Sequence, residues 1–130
     1  MKLSRNQKGQ ALVELALVLP VLLLILFGIV EFGRIFHTYL VISNAAREGA
    51  RKGVITNNDS DIVAAVERAA NPSLDLDGLQ TNITPSEAER GRGDPLRVEV
   101  SYKVDLFTPV ITQILPDPFP LSDTVVMRIE

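Results

Sequence analysis

Between Glu14 and Glu31 the chain carries no charged residue: Leu15-Ala-Leu-Val-Leu-Pro-Val-Leu-Leu-Leu-Ile-Leu-Phe-Gly-Ile-Val30. As a helix these 16 residues rise about 24 Å, and Ala11, Leu12 and Val13 bring the stretch close to the roughly 20 residues that cross a bilayer core of about 30 Å. A helix of a soluble core keeps a polar stripe, and this run has none. The run therefore reads as a membrane segment. Pro20 interrupts it and leaves the carbonyl of Ala16 without its amide partner, so a kink is expected there.

The charges flanking this segment set its expected direction. Lys2, Arg5 and Lys8 precede the run without an accompanying acid. Past residue 9 the chain holds 10 basic against 16 acidic residues, a balance unsuited to nucleic acid, whose binding needs clustered Lys and Arg. By the bias of positive flanks toward the cytoplasm, the expected topology is a cytoplasmic N-terminus and an extracytoplasmic C-terminal domain, although Arg34, Arg47, Arg51 and Lys52 lie on the far side. The run is too long for a secretory signal peptide, and no A-x-A-like cleavage site follows it.

An uncleaved anchor explains the apolar run and its basic flank, but not Glu14. A carboxylate inside the hydrophobic boundary is disfavoured, and it needs a partner. Cutting the chain within Lys8-Gly9-Gln10-Ala11-Leu12-Val13-Glu14, after Gly9, would create a free amine on Gln10 and make Glu14 the fifth residue. This spacing resembles the prepilin peptidase site of type IV pilins. The resemblance implies a cytoplasmic leader of residues 1–9 and cleavage by a membrane aspartyl protease. It also implies that Glu14 pairs with the N-terminal ammonium of a neighbouring subunit. Two lone charges in apolar surroundings are costly, and a close opposite charge offsets much of that cost. Glycine suits the site because a residue without a side chain lets backbone enter a narrow cleft.

The likeness extends past the membrane. Gly9-Gln-Ala-Leu-Val-Glu14, Pro20, Phe27-Gly-Ile-Val-Glu-Phe-Gly-Arg34 and Asn44-Ala-Ala-Arg-Glu-Gly-Ala-Arg51 are similar to the TadE-like family, minor pseudopilins of the bacterial Tad (tight adherence, Flp pilus) machinery. The similarity covers residues 5–54, and beyond it only the strand ending Met127-Arg-Ile-Glu130 looks alike. It implies as partners a prepilin peptidase, the inner-membrane platform with its ATPase, other minor pseudopilins and the major Flp pilin, besides membrane lipid. The small major Flp pilins usually carry Tyr after the Glu and lack a sizeable soluble domain. Here Leu15 follows and a domain is present, which favours the minor component. The alternative is an uncleaved single-pass anchor bearing a binding domain.

The expected organisation is a leader (1–9), a transmembrane helix (10–31), its extramembrane continuation (32–54) and a soluble domain (55–130). Ile35, Tyr39, Ile42, Ala46, Gly49 and Gly53 recur at steps of four and three and mark one face of the continuation. Its outer half, Ala45, Ala46, Gly49, Ala50 and Gly53, permits close backbone approach, either of the chain's own sheet or of another subunit's helix. Glu31 and Arg34, spaced i,i+3, read as interfacial or solvated charges, with a bridge at the membrane surface as the alternative. Asp59-Ser60-Asp61 predicts a cap and first-turn acids for a helix to about Ala70, with Ile62, Val63, Val66 and Ala70 inward. Residues 79–84 read as a weak strand. The alternation Leu96, Val98, Val100, Tyr102, Val104, Leu106 predicts a strand with one face buried. Phe107 to Pro120 holds too many prolines for a central strand, with one helical turn at Val110–Leu115, and 121–130 closes the chain as a strand. The fold class is α+β: a long N-terminal transmembrane helix continuing into a small pilin-like domain with a short helix and a three-stranded antiparallel sheet.

No chemistry is expected. With no Cys and His37 as the one His, no Ser/His or Cys/His pair is supported by two motifs. No cofactor or metal is expected, and the faint calcium-loop likeness of Ser73-Leu-Asp-Leu-Asp-Gly78 lacks a bidentate acid at its twelfth position, Thr84. His37 reads as an interfacial residue.

Overall fold

A computed structural model describes residues 6–130; the leader positions Lys2 and Arg5 lie outside the described residues. Helix α1 (Asn6–Thr56) runs 51 residues and passes through Pro20 as one helix. Helix α2 (Asp59–Ala70) follows after a two-residue turn, and strands β1 (Gln80–Thr84), β2 (Pro95–Val104) and β3 (Phe119–Arg128) form an antiparallel sheet in the order β1-β2-β3. This is the expected α+β arrangement. Single 3₁₀ turns punctuate the loops at Leu76–Gly78, Glu87–Glu89 and Ile111–Gln113.

The turn between the helices has a local cause. Asn57 adopts φ 50, a left-handed conformation that Asn tolerates better than most residues. The Asn58 side chain then accepts from the amides of Ser60 and Asp61. The cap of α2 is thus Asn58 rather than the acids behind it, and Asp59 and Asp61 occupy the first turn, where carboxylates favour the helix dipole. Ala65 joins Ile62, Val66 and Ala70 as buried, while Val63 is half-buried; α2 packs chiefly against α1, which itself lies directly on β2 and β3.

The outer third of α1 is an integral part of the core. Ile42, Ala45, Ala46 and Ala50 are fully buried with Ile62 and Val66 of α2 and with Leu96, Val98 and Val100 of β2. Small residues make this possible. A Cβ on Gly49 would stand 2.5 Å from Val66 Cγ2, and one on Gly53 would collide with Leu96 Cδ2 and Ile62 Cδ1. Within the described chain the small-residue face is therefore covered by α2 and the sheet. Tyr39 is exposed, and the buried stripe passes through Thr38 instead. β2 is the central strand, and its inward residues Leu96, Val98 and Val104 face Met127, Val125 and Phe119 of β3.

The membrane-type half of α1 has no such cover. From Gln7 to Phe27 every residue is exposed. Helix α1 alone among the described residues is long and apolar enough to cross a bilayer, and the most apolar part of it is wholly unburied.

Candidate functional site: the two ends of the apolar helix

The N-terminal end holds Gly9, Gln10 and Glu14. All three lie within α1 and are exposed. Nothing stands within 4 Å of where a Gly9 Cβ would be, so packing gives no reason for glycine there. Glycine in a helix costs about 1 kcal/mol relative to alanine, which weakens this first stretch of α1 and eases its unwinding. The Gln10 side-chain amide donates to Glu14 Oε1 at 3.4 Å. That single long bond between exposed groups is the one side-chain hydrogen bond of Glu14 among the described residues, and it leaves most of the acceptor capacity of the carboxylate free.

The outer end is organised differently. Glu31 is only 2% exposed. It accepts from the Phe107 amide at 3.3 Å to each carboxylate oxygen and from the Thr108 hydroxyl at 3.1 Å. Arg34 Nη1 pairs with it at 3.0 Å and also donates to the Asp105 carbonyl at 3.3 Å. The Arg34 guanidinium lies 4.0 Å from the centre of the Phe107 ring, within the range of a cation–π contact. The Leu106 amide donates to Asp117 Oδ1 at 3.1 Å, closing the base of the β2–β3 connection. Glu31 and Arg34 are therefore not merely interfacial charges. They clamp a loop 76 residues away in sequence, a pairing that i,i+3 spacing cannot reveal. The signal available in the sequence was an acid at the end of an apolar run, which asks for partners wherever they come from.

A second clamp was equally illegible. Arg90, with its side chain fully buried, makes an ion pair with Asp59 Oδ1 at 2.6 Å in a geometry that is not an aligned hydrogen bond. It also donates to Asn57 Oδ1 at 3.0 Å and to the Pro85 carbonyl at 3.4 Å. It fastens the α1–α2 turn to the loop after β1.

The remaining candidates carry little chemistry. Asp75 accepts from the Asp77 amide at 3.1 Å and caps the turn at Leu76–Gly78. Among the described residues no three His, Cys, Asp or Glu side chains gather as a metal site. His37 is exposed beside Arg34 and Lys103 at the rim of a cleft of about 270 Å³ with mixed polar and apolar walls.

These features define a single-pass membrane-anchored α+β protein whose anchor helix is also the spine of its domain. Residues 9–51 match the family model described as TadE-like protein, so that segment of the chain is similar to that family. No curated protein and no solved structure matches the chain.

Proposed function

We propose that this chain is a minor pseudopilin, a structural and assembly component of a Tad/Flp-type pilus, without catalytic activity of its own. In this reading a prepilin peptidase removes residues 1–9 on the cytoplasmic side, and the helix continuation (32–54) and the domain (55–130) lie on the extracytoplasmic side. The new Gln10 ammonium of one subunit meets Glu14 of a neighbour. Other minor pseudopilins, the major Flp pilin and the inner-membrane platform with its ATPase are the partners.

The observation that carries the reading is Glu14: a carboxylate on a bare apolar helix, held by one long bond to Gln10. An ammonium supplied from outside the chain satisfies a group that is costly to leave in hydrocarbon. The test is the mature N-terminus. Protein isolated from membranes of a strain carrying the peptidase is expected to begin at Gln10 by N-terminal sequencing and intact mass. Gly9→Arg is expected to leave it uncut, since a bulky charged side chain cannot enter the cleft. A wild-type chain that keeps residues 1–9 beside an active peptidase favours the uncleaved anchor and overturns the proposal.

A further inference from the structure

The connection between β2 and β3 is where the domain's exposed apolar residues gather. Phe107, Val110 and Ile114 are 72%, 45% and 77% exposed. Leu106 to Pro116 carries no charged residue over 11 positions. The loop does not project into open space: Val110, Ile111 and Ile114 face Leu24, Ile25, Gly28, Ile29 and Phe32 of α1 across an apolar groove of about 520 Å³. Phe32 lies eight helical steps beyond Leu24, so the loop runs alongside about 12 Å of the anchor helix.

We propose that this loop is immersed in the outer leaflet of the bilayer as a second, non-spanning membrane contact, its apolar side chains against lipid acyl chains. The proposal rests on α1 being the membrane anchor. Three observations carry it. The groove is continuous with the membrane-spanning surface, so lipid that covers Leu24 to Ile29 also reaches Val110 and Ile114.

The loop also satisfies much of its own backbone, as hydrocarbon demands. The amides of Ile111 and Thr112 bond to the Thr108 carbonyl, Ile114 and Leu115 to that of Ile111, and Gln113 to that of Val110. Pro109 and Pro116 have no amide hydrogen, the Thr112 hydroxyl returns to the Pro109 carbonyl, and the Phe107 amide and Thr108 hydroxyl are taken by Glu31. Gln113 is the one exposed polar side chain of the stretch.

The third observation is the depth of Glu14. If the loop stood clear of the bilayer, the span would have to end before Leu24. A span of about 20 residues ending there centres on Glu14 and draws Arg5 and Lys8 into the apolar region. With the loop immersed, the span is drawn from about Ala11 to Val30, and Glu14 stays near the inner interface, where a carboxylate is tolerated. Arg34 and Lys103, lining the cleft above the loop, then lie at headgroup height.

Because the sequence has no cysteine, single Cys variants can carry an environment-sensitive fluorophore in the full-length protein. The variants are Val110→Cys and Ile114→Cys in the loop, Leu22→Cys in the span and Val126→Cys on an exposed position of β3. The probes are phosphatidylethanolamine–phosphatidylglycerol vesicles containing lipid brominated on its acyl chains, and aqueous iodide. Loop labels are expected to emit to the blue, to lose fluorescence to the brominated lipid and to resist iodide, as at Leu22, while Val126 shows the reverse. Loop labels quenched by iodide like Val126 overturn the proposal. So do loop labels shielded from both quenchers in a way that depends on protein density, which would mark a second copy as the occupant. Iodide quenching at Leu22 as well would overturn the anchor together with the proposal, whereas quenching at the loop alone leaves the anchor standing.

Discussion

Glu14 and Glu31 bracket the same apolar run, and their surroundings give them different work. Glu31 is saturated by its own chain: two backbone-directed contacts, a hydroxyl and a guanidinium converge on it. Among the described residues Glu14 has only the Gln10 amide. Hydrogen bonds to a charged group contribute about 1.5–3 kcal/mol, so Glu31→Ala is expected to free the start of the β2–β3 connection. Hydrogen exchange of the Phe107 amide should quicken by at least roughly tenfold in the full-length protein in detergent, the equivalent of about 1.4 kcal/mol. Unchanged exchange at Phe107 would show that Glu31 does not hold the loop. Gly49 and Gly53 are residue-scale features of another kind, required because α2 and β2 leave no room for a methyl group.

Among the elements, β2 carries the domain. It pairs on both sides, and Leu96, Val98 and Val100 are fully buried against α1 and α2. Val100→Asp places an unpaired carboxylate in that core at a cost of several kcal/mol, comparable with the whole stability of so small a domain. The domain is expected to lose its cooperative thermal transition by near-ultraviolet circular dichroism while α1 keeps far-ultraviolet helicity in detergent. A wild-type melt would mean that the inward face of β2 is misassigned. β3, an edge strand, begins Phe119-Pro120 and sets Asp123 opposite Val100. Proline and an inward acid both discourage further strand pairing on that edge. The strand alternation was readable because period two is imposed by the backbone itself. The stripe on α1 was readable only in part, since Thr38 rather than Tyr39 is buried and a polar residue gives no apolar signal.

For the whole molecule, a single helix carries both the apolar anchor segment and part of the domain core. Glu14→Leu separates anchoring from assembly. The variant should insert at least as well as wild type, since a charge leaves the apolar region. Cleavage after Gly9 should persist, because the changed side chain lies outside the cut bond. Pilus formation and co-purification with partner pseudopilins should fail in cells making only the variant, where the neighbour's Gln10 amine has lost its counter-charge. Normal assembly would sink the pairing and leave the anchor untouched.

The membrane segment, the extent of α2, β2 and the TadE-like stretch were legible in the sequence alone, while the cap of α2 fell on Asn58 rather than on the acids expected to supply it. Each rests on residues close together along the chain: an uninterrupted apolar run, a two-residue alternation, a glycine five places before an acid. The clamp of Glu31 on Phe107 and Thr108, the burial of Arg90 against Asp59, and the seating of Val110 and Ile114 beside Leu24 and Ile29 were decided by tertiary structure. Local periodicity fixes which face of an element is apolar, but not which distant segment covers it. A charged side chain has no period at all, and its role depends on what the folded chain brings within about 3 Å of it.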